Sequence, residues 1–155
     1  MLIYVCLDLF WAMNIVGEQM QSPEYFNEIC SDKFPGVLGI VVTHVSSEEV
    51  RAEMKVTPSH LAPNGFLHAG SVVTLADTAC GNGCLSNLPQ DASSFTTIEL
   101  KSNHLGTARD GVVECSATPV HMGRTTQVWD ACVSNKATGK SIALFRCTQM
   151  IIYPA

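Results

Sequence analysis

Charge is scarce in this chain. Asp, Glu, Lys and Arg make up 15% of its 155 residues, and the net charge at pH 7 is −5. No basic stripe runs along it, which argues against nucleic acid as a main partner. A phosphorylated small molecule needs only a few local cations and stays open. The seven cysteines are an odd number and contain no Cys-x-x-Cys pair. That is the pattern of free thiols in a reducing compartment, so a cytoplasmic location is expected. His60, His68 and His104 have no ligand spacing to Cys80 and Cys84, so no metal is expected and the two cysteines read as packing. No repeat, linker or low-complexity stretch is present. No apolar run is long enough to span a bilayer, and no membrane partner is expected. Met1–Met13 is apolar, but it lacks a positive start, carries Asp8 and has no small-residue cleavage site. It reads either as an extra helix packed on the domain or as residues upstream of a start at Met13 or Met20.

What is present is apolar: 46% of the residues are hydrophobic, enough for one domain with a real core. The expected unit is a single domain over 1–155, with its core from about residue 36 and an N-terminal extension over 1–35 that is partly helical. Ser22-Pro23-Glu24 starts a helix to about Cys30, with Tyr25, Phe26 and Ile29 facing the core. Phe34-Pro35-Gly36 breaks it. Val37–Val45 reads as a strand, and Glu49–Val56 alternates strictly, with Val50, Ala52, Met54 and Val56 on one side. Ser46-Ser47 joins the two as an antiparallel hairpin. Four later strands are expected over Phe95–His104, Gly111–Met122 (which can end near Pro119), Arg124–Asn135 and Ser141–Tyr153. Their short turns predict a meander covering a helix on one face. Glu99 and Lys101 share a wet strand face and read as a pair.

That helix is the centre of the chain. Pro63-Asn64-Gly65 is turn chemistry. From about Ala69 the residues Ala69, Val72, Val73, Ala76, Ala79 and Cys80 recur at helical spacing, with Leu75, Ala and Gly opposite. A helix apolar nearly all round is buried. Gly81 and Gly83 predict that it weakens or ends near there. One carboxylate, Asp77, is set into it, either satisfied by a neighbouring backbone group or cation, or functional. The His68-Ala69-Gly70-Ser71 start offers free N–H groups at the positive end of the helix dipole, a site for an oxyanion. His68 and Asp77 are nine residues apart, roughly 13 Å along one helix. They flank one reacting atom only if two helices run antiparallel across a two-fold axis, which predicts a dimer with its chemistry at the interface.

The segment Asn64-Gly-Phe-Leu-His68-Ala-Gly, followed after six residues by Asp77, resembles the hot-dog-fold thioesterases of the phenylacetate-degradation type, over about Gly36 to the end. The resemblance implies an α+β fold: a long central helix wrapped by a curved antiparallel sheet of about six strands, in a homodimer or dimer of dimers. It implies an acyl- or aryl-coenzyme A substrate and no separate cofactor, coenzyme A being part of the substrate. Asp77 becomes general base or nucleophile, the Ala69 N–H (Gly in the family) holds the thioester carbonyl oxygen, and His68 orients the site beside Gly70. Thr78 is a donor near Asp77. Thr97, with Thr96 as the alternative, takes the place of a water-holding hydroxyl, or is a plain β-branched strand residue. The family commonly has an Asn six residues before the His; here that position is Ala62, and Asn64 is the nearby amide. His121-Met122-Gly123-Arg124-Thr125 resembles the coenzyme A-binding turn, with Arg124 pairing a phosphate; a solvated hairpin arginine is the other reading. Lys101, Arg109 and Lys136 are weaker phosphate candidates. Phe66, Leu67 and the 82–88 region are candidate pocket walls. Two rivals remain: a hydratase or dehydratase on the same fold, which the nine-residue His-to-Asp spacing fits less well, and an acyl-CoA-binding protein without activity, which the Ala62 and Ala69 substitutions keep open.

Overall fold

The computed structural model describes residues 22–154; the expectations for Met1–Met13, Met20 and the rest of 1–21 lie outside the described residues. Helix α1 (Pro23–Cys30) is capped by Ser22, whose Oγ accepts the Tyr25 N–H. Phe26 is buried and Tyr25 packs beside it, but Ile29 is exposed, against expectation. The cause is Asn27, whose side-chain amide bonds both the N–H and the C=O of Val42. That clamp turns the Phe26–Asn27 side of α1 to the sheet and Ile29 outward. Phe34-Pro35-Gly36 does end α1, but it forms a helical turn of its own, α2 (Phe34–Val37). Strand β1 therefore starts at Ile40, after Gly39 at φ +65°, and not at Val37.

Strands β1 (Ile40–Val45) and β2 (Val50–Lys55) form the expected hairpin. After a short 3₁₀ turn at Pro58–His60 comes α3 (Ala69–Ser86), then β3 (Ser94–His104), β4 (Val112–Met122), β5 (Thr126–Asn135) and β6 (Ser141–Ile152). The sheet has six strands in the order β1-β2-β4-β5-β6-β3, every pair antiparallel. The meander holds for β4 to β6; β3 leaves it and crosses to the far side of β6. β4 runs through Pro119 to Met122, with a bulge between Pro119 and His121. Glu99 and Lys101 do not pair; on the same sheet face Arg146 of β6 pairs with Asp130 of β5.

The core is one layer between helix and sheet. Val72, Leu75, Ala76, Ala79 and Cys80 of α3 pack on Met54, Val113, Cys115, Trp129, Val133 and Cys147. The helix does not stop at its glycines but continues to Ser86. They are there for close approach: a Cβ on Gly83 would stand 2.6 Å from the Trp129 ring, and one on Gly81 would stand 3.1 Å from Phe95. Trp129 is itself fixed, donating its indole N–H to Gln127 Oε1, while Gln127 Nε2 donates to the Asn87 carbonyl at the helix end. A fixed ring cannot yield, so Gly83→Ala is expected to lower stability by about 1–3 kcal/mol, read as a fall in the thermal unfolding midpoint.

The two sheet edges differ. Asn27 covers β1 at Val42. Along the eleven residues of β3, no described group takes up the outer edge, and Ile98 and Leu100 are exposed there.

Candidate active site

The turn into α3 is built by His60 and His68. His60 is buried, its Nδ1 accepts the Thr57 N–H, and its carbonyl accepts both the His68 N–H and the Ser71 hydroxyl. These bonds fix His68 as the N-cap, and its Nδ1 accepts the Gly70 N–H at 2.9 Å. An accepting Nδ1 puts the proton of a neutral ring on Nε2. The His68 carbonyl takes the Ser71 and Val72 N–H groups. The Ala69 N–H is thus the one of the first turn without an acceptor among the described residues. His68, Ala69 and Gly70 are all exposed. A free N–H at the positive end of an 18-residue helix is a ready donor to a developing oxyanion.

Two and a half turns on, Asp77 is half-buried and faces β3 and β6. Thr97 Oγ1 lies 3.2 Å from Asp77 Oδ1 and 2.9 Å from Gln149 Oε1. Burial pushes the Asp77 carboxyl above the ordinary carboxylate range, and the hydrogen bond from Thr97 pulls part of that back. A carboxylate so held is a better base than a free one. Thr97 reaches it because Thr97 pairs across the sheet with Gln149, on the helix side, just before the β3 bulge that lets the strand shift register at Glu99.

Other candidates stand elsewhere. Thr96, one residue along the strand, is exposed and pairs with Met150 on the opposite face. The hydroxyl bonded to Asp77 is that of Thr97, not Thr78. Asn64 Oδ1 accepts the Phe66 N–H, closing its own turn, and Phe66 carries the Arg109 guanidinium 4.2 Å above its ring. Gly123 is tightly packed, its Cβ position 2.5 Å from His121 Nε2. Arg124 stacks over the Tyr153 ring at 5.2 Å, its carbonyl accepting the Tyr153 hydroxyl, and the Thr125 carbonyl accepts the Ile151 N–H. Lys136 is engaged by Glu53; Lys101 is exposed on the outer face. Gln149, fully buried, went unnoticed in the sequence, although Phe145, Cys147, Gln149 and Ile151 alternate and so mark it as an inward polar residue.

The described cysteines are free thiols. Burial pushes the Cys84 thiol up to about 12, and Cys80 is raised by its hydrogen bond with Cys147; neither is a nucleophile at neutral pH. Among the described residues no three His, Cys, Asp or Glu side chains cluster as metal ligands, and no helix is long and apolar enough to cross a membrane. Two concavities of about 470 and 530 Å³ lie on the outer sheet face around Arg146–Asp130 and Lys136–Glu53, away from Asp77.

The sequence model described as "Thioesterase superfamily" matches residues 64–142, which takes in the helix start, Asp77 and Thr97. The chain belongs to the thioesterase superfamily. A 1,4-dihydroxy-2-naphthoyl-CoA hydrolase of Listeria monocytogenes is 32% identical over 111 residues, covering 72% of this chain and 89% of that protein. The structure of a mutant of thioesterase PA1618 from Pseudomonas aeruginosa superposes with a TM-score of 0.81 at 29% identity, covering 86% of this chain and 95% of that one. The PaaI protein from the Escherichia coli phenylacetic acid degradation operon superposes at 0.70 and 26% identity, covering 83% and 88%. As a thioesterase on the hot-dog fold, the chain is a thioester hydrolase.

Proposed function

We propose that this thioesterase hydrolyses an acyl- or aryl-coenzyme A to the free acid and coenzyme A, with Asp77 as general base. The observation that carries the reading is the Asp77–Thr97 contact on a helix whose first N–H has no acceptor among the described residues. A water bonded to the Asp77 carboxylate beside Thr97 gives its proton to the carboxylate as its oxygen adds to the thioester carbonyl. The carbonyl oxygen, now negative, is held by the Ala69 N–H. The C–S bond then breaks, and the coenzyme A thiolate leaves and takes up a proton. A thiolate leaves readily, so one placed carboxylate is sufficient. Two relatives in this family carry names that include a coenzyme A thioester hydrolase and a thioesterase, which supports the substrate class; Arg124 and Arg109 are the cations offered to its phosphates.

The site is completed by a second copy of the chain. Ala69 and Asp77 are eight residues apart on one helix, roughly 12 Å at 1.5 Å per residue, too far to meet one carbonyl carbon. Two chains joined along their outer β3 edges bring the helix start of one beside Asp77 of the other. Free-thiol release from short acyl, long acyl, phenylacetyl and benzoyl thioesters of coenzyme A is the test. Turnover of one class is expected; tight binding without turnover of any overturns the reading in favour of an acyl-CoA-binding protein. Single-turnover hydrolysis in ¹⁸O-water is expected to label the product acid and leave Asp77 unlabelled.

A further inference from the structure

Resting on the reading of Asp77 as base, a further residue enters the site through hydrogen-bond counting. Thr97 has one hydroxyl proton and two oxygen neighbours, Asp77 Oδ1 at 3.2 Å and Gln149 Oε1 at 2.9 Å. It cannot donate to both. With the amide oxygen facing Thr97, both contacts are hydrogen bonds only when Asp77 is protonated. Then Asp77 donates to Thr97, Thr97 donates to Gln149 Oε1, and Gln149 Nε2 donates to Cys147 Sγ at 3.3 Å. When Asp77 is ionised, the row is satisfied by turning the amide over. Nε2 then donates to Thr97, Thr97 donates to the carboxylate, and the Cys147 thiol donates to the amide oxygen. The two ends of an amide fill nearly the same space, so the turn needs no repacking.

We propose that Gln149 is a positioning residue whose amide turns over as Asp77 gains and loses its proton, so that Thr97 is a donor to the carboxylate and an acceptor from the acid. Gln149 is fully buried, and a buried amide is costly unless bonded at both ends in each state. The residues facing Asp77 leave this row to govern it. From α3 and β6 the neighbours are the thiols Cys80 and Cys147, with Cys115 behind them on β4. From β3 they are Thr97 and, toward the far end of the strand, His104; His68 is nine residues away at the helix start. On β5 the residue paired with Cys147 is the uncharged Trp129. Glu99, Lys101, Asp130 and Arg146 belong to the opposite face of the sheet, where Arg146 and Asp130 pair.

The test uses the wild-type chain and Gln149→Met, which keeps the length of the side chain without its amide. In wild type, a ¹⁵N-edited spectrum is expected to show the Gln149 Nε2 protons shifting in one step, at the same midpoint as the Asp77 carboxyl ¹³C resonance. Absence of that step overturns the proposal without any variant and without any assay of turnover. In Gln149→Met, Thr97 loses the N–H that polarises its hydroxyl toward the carboxylate, so the Asp77 midpoint and the acid limb of kcat/KM move to higher pH. The kcat falls about tenfold, the loss of one hydrogen bond in the base, with KM little changed. A folded Gln149→Met with the wild-type midpoint and kcat makes Gln149 a core filler and also overturns it. Wild type that turns over no thioester but shows the coupled step sinks the functional reading and leaves the Gln149 coupling standing.

Discussion

Asp77→Asn is expected to lower kcat by about 10²–10⁴-fold, the usual worth of a placed general base, and to stabilise the fold at neutral pH. Both follow from one fact. Burial raises the Asp77 carboxyl above its unfolded value, with Thr97 offsetting part. A folded value above the unfolded one means the native state binds the extra proton between the two. Stability is therefore fullest below the unfolded value, falls as pH rises between the two, and stays lower above the folded one. Asparagine has no charge to desolvate, so the variant escapes that loss while keeping an oxygen for Thr97. Thiol release and thermal unfolding, run at pH 7 and pH 4, read the two effects: activity collapses, and the stability gain is present at pH 7 and shrinks at pH 4. An active Asp77→Asn would remove Asp77 from the chemistry. A variant without the neutral-pH gain would mean that the wild-type carboxylate is compensated in the folded protein.

The second large effect is expected from the free edge. Ile98 and Leu100 are exposed at 54% and 43% on the outermost strand. A double substitution, Ile98→Glu with Leu100→Glu, puts like charges on both sides of a two-fold axis. Sedimentation velocity is expected to show a dimer in wild type and a monomer in the double variant. Thiol release falls to background because neither chain then holds both an oxyanion donor and a base for one carbonyl. Circular dichroism is expected to be unchanged, since β3 keeps its pairing with β6. A fully active monomer would place the whole site within one chain.

Much of this was legible in the residues. The alternation of Val50, Ala52, Met54 and Val56 carried through to burial without exception, because period two has one physical meaning in a sheet with one dry face. The helix was visible from its spacing, but its end was not. Gly81 and Gly83 read as terminators, since the rings that need their missing Cβ atoms lie on β3 and β5, contacts that a local window does not contain. Ile29 misled for a similar reason: its position on α1 was right for a core, but Asn27, reaching to β1, decided the rotation. In the site, Asp77 and Thr97 were each visible alone. Their bond and its extension to Gln149 join residues 20 and 52 positions apart, a separation at which spacing carries no signal.

The crossover of β3 sets an order of assembly. Its one neighbour in the sheet is β6, the last strand of the chain. During synthesis the first two strands, the helix and the β4–β5 hairpin are all available before Ser141 emerges, and they can form without it. Thr97 has nothing to hold it against Asp77 until Gln149 arrives. A nascent or truncated chain ending before β6 therefore has much of its sheet but lacks the Asp77–Thr97–Gln149 row, and it carries two long unpaired strand edges, along β5 and β3, for chaperones or proteases to find.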